Sequence, residues 1–163
     1  MKTRVVLGLG CVVGWLATAA GAQQPQAPKG VAPTLKPGPV DLEVRQMLAE
    51  YFKTVEWHDL PAFLAFFAEG EDLTVFEDKE MYDWKGFAAF AEGFFQQVKA
   101  ITFEIEKCRV NPLSPNVAVV TGVFKGTGVA TSGEPLAVHN AYTFVLLKQG
   151  KQWRIKHVHE SSL

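Results

Sequence analysis

This 163-residue sequence has few cysteines, almost no excess of charge of either sign and no cluster of basic side chains. Only two cysteines occur, Cys11 and Cys108, and Cys11 lies in an N-terminal run that we expect to be removed. An internal disulfide is therefore excluded, and stability must come from packing. The 16 Lys and Arg nearly balance the 17 Asp and Glu, which leaves a net charge of −1. This balance argues against nucleic acid as a partner and against a membrane-surface helix.

Several short motifs that carry common chemistries are also missing. The sequence has no glycine-rich phosphate loop, no GxSxG nucleophile elbow and no HExxH zinc motif. The absence of these motifs argues against the commonest nucleotide-binding, hydrolase and metalloprotease functions, and we predict no cofactor.

Residues 1–22 have the features of a secretory signal peptide. Lys2 and Arg4 precede an uncharged apolar run over 5–20, and small residues follow up to Ala22. The run is shorter than the roughly 20 residues that a membrane-spanning helix needs, so cleavage is favoured over a stable membrane anchor. We predict a periplasmic or secreted protein.

Residues 23–40 form a proline-rich stretch, for which we predict a flexible leader. A single domain over 41–163 follows. Asp41 stands at a helix N-cap position, with apolar residues at helical spacing from Val44 to Val55. Asp59 before a proline predicts a short second helix, and the pattern over 84–98 predicts a third, amphipathic one.

The second half of the domain changes to the period-two alternation of half-buried strands. A short strand is predicted over 73–76, and longer ones around 101–105 and over 117–129, 136–147 and 152–159. Because helices come first and antiparallel strands last, the class is α+β, with helices on one sheet face.

The last predicted strand carries a His-x-His pair. With regular alternation, Trp153, Ile155, His157 and His159 share one face, the face that the helices cover. A two-residue loop at Gln149 and Gly150 would place Leu146 opposite Trp153, Phe144 opposite Ile155, Tyr142 opposite His157 and Asn140 opposite His159. Both histidines would then face the interior.

Two histidines on one strand face can hold a metal only with a third ligand. None is evident, because Glu160 points to the opposite face by parity, so we predict no metal. A polar cluster before the third helix comprises Glu77, Asp78, Glu80, Tyr82 and Asp83. We favour a solvated turn for it, and the alternative is that Tyr82 or Asp83 acts as an acid or base at a cavity rim.

The initial helical hairpin, the segment 73–77, Gly86 to Phe90 and the terminal segment 150–161 together resemble the SnoaL-like branch of the nuclear transport factor 2-like superfamily. Within it the sequence is most similar to calcium/calmodulin-dependent protein kinase II association domains and their bacterial relatives. The resemblance implies a cone-shaped barrel, in which a curved, mostly antiparallel sheet is covered by three N-terminal helices. It also implies a pocket in the cone and a homodimer through the outer sheet face, where Val145, Leu147 and Val158 would lie. The pocket-lining candidates are Tyr82, Trp84, Phe124, Asn140, Tyr142, Phe144, His157 and His159.

The kinase association domains carry arginines in the pocket that suit carboxylate ligands. Counting back from Trp153 puts Phe144 and Phe124 at two of those positions, and Glu160 lies at another of them, the one after the His-x-His. The resemblance therefore implies a pocket that prefers neutral, apolar or cationic ligands to small carboxylic acids.

Three functions stay open. The first is binding of a small, largely apolar molecule in the cone. The second is a non-catalytic dimerisation module, and the third is an isomerase or lyase that uses His157 with a rim acid. An open cavity lined by His157, Tyr142 and Trp84 would favour the first, whereas a cone filled by Phe124, Phe144 and the phenylalanines of the third helix would favour the second.

Overall fold

The computed structural model describes residues 38–163. The predicted signal peptide, 1–22, and all but the end of the predicted leader, 23–40, lie outside the described residues. Within residues 38–163 no helix is long and apolar enough to cross a membrane.

The first helix, α1, spans Pro39–Glu56 and begins three residues earlier than a cap at Asp41 predicts. Gly38 is its N-cap, and Pro39 supplies a fixed φ and no N–H where none is needed. Asp41 instead lies in the first turn, where it accepts a bond from Arg45 at 2.7 Å. The predicted apolar face from Val44 to Val55 is buried against the sheet.

Two further helices begin at aspartates that cap them. α2 spans Leu60–Leu64, and the Asp59 carboxylate accepts from the Ala62 N–H at 2.9 Å. α3 spans Trp84–Gln97, and Asp83 accepts from the Gly86 N–H at 2.8 Å. Asp83 is therefore a helix cap, a role that its position in the predicted polar turn did not indicate.

The described residues form one six-stranded sheet. Its strands are β1 Thr74–Glu77, β2 Glu80–Tyr82, β3 Val98–Ser114, β4 Val117–Ala130, β5 Pro135–Gln149 and β6 Gln152–Ser162. The spatial order is β2-β1-β6-β5-β4-β3, so β2 and β3 are edges and the sheet is open. All neighbours are antiparallel except β1 and β6, which are parallel. The predicted α+β class is confirmed.

The core lies between the helices and the concave sheet face. Phe144, Leu146 and Ile155 are fully buried at its centre, and Tyr51 of α1 packs edge-on against Phe144 at 5.7 Å. Next to this core, a cavity remains between α3 and the strands β1 and β6, and the candidate site lies in this cavity.

The register between β5 and β6 differs from the predicted one in two ways. Gln149 pairs with Gln152, so the turn is Gly150 and Lys151, with Gly150 at a φ of +63°. A bulge then interrupts the ladder, because Leu146 pairs with Ile155 but Val145 pairs with His157. A bulge adds one unpaired residue and reverses the alternation beyond it. All four predicted pairs were therefore wrong: the turn moves the register by two residues before the bulge, and beyond the bulge the two histidines that were expected inside also face outward.

Candidate functional site

A cavity of about 140 Å³ lies between α1, α3 and the concave face of the sheet. Its inner part is buried, whereas its mouth is formed by half-buried side chains and by Phe90, which is 38% exposed. Most of the wall is aromatic or aliphatic. The lining residues are Tyr51, Phe52, Val55, Phe63, Phe67, Val75, Glu77, Phe87, Phe90, Ala91, Phe94, Phe95, Ile101, Phe103, Phe124, Val138, Asn140, Val158 and Glu160.

Two carboxyl groups, Glu77 and Glu160, interrupt this apolar wall. They are direct partners in the parallel β1–β6 ladder, so their side chains leave the sheet side by side on the same face. The preceding pair on that face is Val75 and Val158, both buried. Each glutamate is therefore carried inward by the strand alternation that buries the valine two residues before it.

Asn140 completes the polar end of the cavity. It lies on β5, the other neighbour of β6, and is 7% exposed. Its Nδ2 donates to the Oε1 of Glu160 at 2.8 Å, the only side-chain hydrogen bond to the pair among residues 38–163. We refer to Glu77, Glu160 and Asn140 as the carboxyl end of the cavity.

Burial shifts the titration of both carboxyl groups. Desolvation, with a contribution from the neighbouring Asp78 carboxylate, raises the pKa of Glu77 to about 7. Desolvation and the charge of Glu77 raise the pKa of Glu160 to about 8, against the opposing effect of the Asn140 hydrogen bond. Near neutral pH the pair therefore holds at least one proton, which gives one carboxyl that can donate a hydrogen bond and one that can accept it.

Asp78 fixes the backbone where the two strands end. It has a left-handed φ of +50°, and its N–H donates to the Glu160 carbonyl at 2.9 Å. Its carboxylate accepts from the N–H of Ser162 at 2.7 Å and from the Ser162 hydroxyl at 3.1 Å. These bonds clamp the end of β1 to β6 and so position the two glutamates.

Two of the eight predicted pocket residues, Phe124 and Asn140, line the cavity. Phe144 and Tyr142 are buried on the same concave face but lie deeper, in the core beneath α1. The space that a Cβ on Gly122 would occupy lies 2.5 Å from the Tyr142 hydroxyl, so the tyrosine ring crosses this glycine.

Tyr82 and Trp84 lie beside the cavity but do not line it. The Tyr82 ring stacks on Phe90 at a centroid distance of 5.2 Å, which supports the mouth from outside. Trp84 is the first residue of α3 and packs, half-buried, against the core.

His157 and His159 are placed on the opposite face of the sheet from the cavity, which corrects the predicted orientation. His157 pairs with the outward-facing Val145, and the His159 ring lies 6.0 Å from Phe76 on the outer side. The β5–β6 bulge is the physical reason, because it turns Val158 and Glu160 inward in their place. Acid–base chemistry in this cavity through His157 is therefore excluded by its position.

The two glutamates were missed at the level of the sequence. Glu77 was assigned to a solvated turn, although Leu73, Val75 and Glu77 share a face by alternation, and that signal was present. Regular alternation predicts that Glu160 faces outward, and this prediction was wrong because the local sequence pattern does not indicate the bulge. Only its place among the pocket positions of the resembling kinase domains pointed inward.

No three His, Cys, Asp or Glu side chains within residues 38–163 converge in a way that could hold a metal ion. A larger surface depression of about 920 Å³ runs along α1 beside the β5–β6 turn. There Glu43 accepts from Lys148 at 2.6 Å and from the Trp153 indole N–H at 2.9 Å, so these polar groups are already paired.

An open, curved α+β sheet with helices on its concave face and a pocket beneath them defines the nuclear transport factor 2-like class of fold. The sequence pattern of the SnoaL-like domain matches residues 44–163, and the chain belongs to this family. No curated protein matches the chain.

Solved structures share the fold at low sequence identity. A protein from Xanthomonas campestris, provisionally assigned as a calcium/calmodulin-dependent protein kinase II association domain, is similar at 21% identity and a TM-score of 0.67, over 76% of this chain and 87% of that one. A provisionally assigned scytalone dehydratase from Novosphingobium aromaticivorans is similar at 15% identity and a TM-score of 0.68, over 75% and 83%. A nuclear transport factor 2-like superfamily protein from Salmonella enterica is similar at 17% identity and a TM-score of 0.66, over 74% and 89%.

Proposed function

We propose that this protein binds a small, largely apolar molecule in the cavity, with the polar group of the ligand at the carboxyl end. The observation that carries the proposal is an aromatic-walled cavity whose apolar lining is interrupted by one compact group of hydrogen-bonding side chains. Ligand sites combine these two features, because apolar walls supply affinity and a few polar groups fix orientation.

The size of the cavity limits the part of the ligand that is buried. A dry cavity of about 150 Å³ takes up benzene, so a space of about 140 Å³ holds one ring or an aliphatic chain of similar volume. The exposed Phe90 at the mouth lets a longer ligand extend towards solvent.

The charge of the site argues against one ligand class. The carboxyl end carries negative charge once either glutamate ionises, and no Lys, Arg or His is among the described residues that line the cavity. A carboxylate ligand would meet repulsion with no compensating cation. This supports the sequence expectation that neutral, apolar or cationic molecules are preferred to small acids.

Two variants of the same helix test the proposal. Ala91 of α3 lines the cavity and Ala89 is exposed on the same helix. We expect Ala91→Leu to fill the space and abolish the binding of the one-ring apolar probe ethylbenzene measured by calorimetry, whereas Ala89→Leu should keep it. Equal probe binding by a folded Ala91→Leu protein would show that the cavity is not the site.

The carboxyl pair favours a second candidate, an isomerase or lyase. One protonated and one ionised carboxyl at a single site can deliver and remove a proton near pH 7, which is what such reactions need. Glu77 and Glu160 would then take the role first given to His157 and a rim acid. Turnover of a bound ligand that is lost in both Glu77→Gln and Glu160→Gln, with binding retained, would support this candidate.

We also propose a homodimer through the outer face of the sheet. Val119 pairs with Val145 and Val117 with Leu147 on that face, and all four are only half-buried in the single chain. Val158, which was expected there, faces the cavity instead. Sedimentation at micromolar concentration should give a dimer that Val145→Glu dissociates, and a monomeric wild type would refute it.

Export is the last part of the proposal, and it rests on the signal-peptide features of residues 1–22 alone. Expression of the full chain should yield a periplasmic or secreted product whose N-terminus lies near Gln23. Recovery of the uncleaved chain in the cytoplasm would contradict it.

A further inference from the structure

We propose that the ligand of this cavity is an organic amine, bound as its cation with the ammonium group between Glu77 and Glu160 and its apolar part against the phenylalanines. This inference rests on the proposed binding function and narrows it to one chemical class.

The charges around the cavity are unbalanced. Two carboxyl groups lie side by side in the β1–β6 ladder, and the described lining residues include no cationic side chain that could neutralise them. Buried charges in proteins are normally paired. A monocation placed here would supply the missing partner, whereas a neutral molecule would leave the pair dependent on its own protons.

The cavity also has more hydrogen-bond acceptors than donors at its carboxyl end. Two ionised carboxylates offer four acceptor oxygens, and Asn140 is the one side chain among residues 38–163 that donates to them. An ammonium group has up to three N–H donors and no acceptor, so it matches this surplus. A ligand carboxylate or ketone would bring further acceptors and leave the surplus uncorrected.

The walls suit the rest of such a ligand. Phe90, Phe94, Phe103 and Phe124 face the cavity, and aromatic faces attract organic cations in addition to binding apolar groups. The same rings place apolar surface around the ammonium, which strengthens its attraction to the carboxylates.

Protons compete with the amine for the carboxyl end. The titratable groups that approach the pair are Asp78 at the end of β1, Tyr51 from α1 and Tyr142 from β5, while α3 contributes only Phe and Ala to the lining. On β2, the exposed Glu80 pairs opposite Glu77. All of these groups are acidic or neutral, so only a proton or a bound cation can relieve the repulsion between the two carboxylates. Binding of the amine should therefore release a proton to the buffer.

Three molecules of nearly equal shape separate the classes: 2-phenylethylamine, 2-phenylethanol and phenylacetate. Calorimetry with the whole mature protein at about pH 8 should show the amine binding about tenfold or more tightly than the alcohol, and no binding of the acid. Lowering the pH to about 6 should weaken the amine about tenfold or more and leave the alcohol unchanged. Titrations in buffers of different ionisation enthalpy should show proton release for the amine alone.

The variants Glu77→Gln and Glu160→Gln keep the shape of the site and remove its charge. Each should weaken the amine about tenfold while the alcohol stays within about twofold, and the exposed Glu69→Gln should change neither. Alcohol binding as tight as amine binding, or amine affinity independent of pH, would overturn the amine inference and leave the binding function standing. Failure of all three molecules and of the apolar probe would overturn both.

Discussion

The half-buried carboxyl pair should make the protein less stable as the pH rises through neutrality. Glu77 and Glu160 have an ordinary pKa of 4.5 when unfolded, and folding raises these values to about 7 and about 8. A raised pKa means that the folded chain holds its protons more tightly than the unfolded chain. The stabilisation is therefore complete below about pH 4.5, declines as the pH rises above that value, and is lost once the pH has passed through about 7 to 8.

The expected loss can be worked out from the shifts. Between about pH 5 and pH 7 the unfolded chain is ionised at both sites while the folded chain keeps most of its protons, so each group costs about 1.4 kcal/mol per pH unit. Two groups over two pH units give at most about 5.6 kcal/mol. Both side chains are only half-buried, and solvent screening reduces the expected loss to about 2–3 kcal/mol.

Urea unfolding followed by circular dichroism at several values between about pH 5 and pH 8 measures this loss. The double variant Glu77→Gln/Glu160→Gln cannot ionise at the site, so its free energy of unfolding should change less over this range than that of the wild type, by about 2–3 kcal/mol. Glu69→Gln removes an exposed carboxylate and should follow the wild type. Parallel pH profiles for the wild type and the double variant would refute the assignment of the raised pKa values to this pair.

Two matched comparisons test the packing around the site. Gly122→Ala should destabilise the fold by about 2 kcal/mol or more, because the new Cβ would lie 2.3 Å from the Lys107 carbonyl oxygen. Gly93→Ala in α3 meets nothing within 4 Å and should stabilise the fold by about 0.5–1 kcal/mol. Equal effects of the two variants in thermal unfolding would contradict the close approach at Gly122. Trp153→Ala should cost about 3–5 kcal/mol because the indole is buried. His157→Ala and His159→Ala should each cost less than about 1 kcal/mol and leave binding of the apolar probe unchanged, since both imidazoles lie on the outer face. A loss of probe binding in either histidine variant would show that the histidines line the cavity after all.

Features set by local interactions could be read from the sequence. Asp59 at the start of α2 and the apolar face from Val44 to Val55 act over one or two helical turns, and both were predicted. The β2 strand could not be read in this way. Its three residues alternate weakly, and it forms because β1 provides an edge beside it.

Features set by contacts between distant strands could not be predicted. The parallel pairing of β1 with β6 joins residues more than 80 positions apart, and it is this pairing that brings Glu77 beside Glu160. The sequence alone therefore led to a pocket whose predicted lining includes Phe124 and Asn140, but not to the two carboxyl groups at its end.

The bulge between Ile155 and His157 determines which chemistry faces the cavity. Regular alternation would bury two imidazoles and expose Val158, whereas the bulge packs Val158 beside Val75 and leaves the imidazoles outside. Burying a valine contributes about 1.5–3 kcal/mol, which offsets much of the cost of carrying Glu160 inward. Protonation lowers that cost further, because a neutral carboxyl is cheaper to bury than a charged one. A leucine at this position would nevertheless stabilise the fold more than a glutamate does. A residue that costs stability where a leucine would add it is expected at a binding site. Glu160, rather than the His-x-His motif, is therefore the part of β6 that indicates a function.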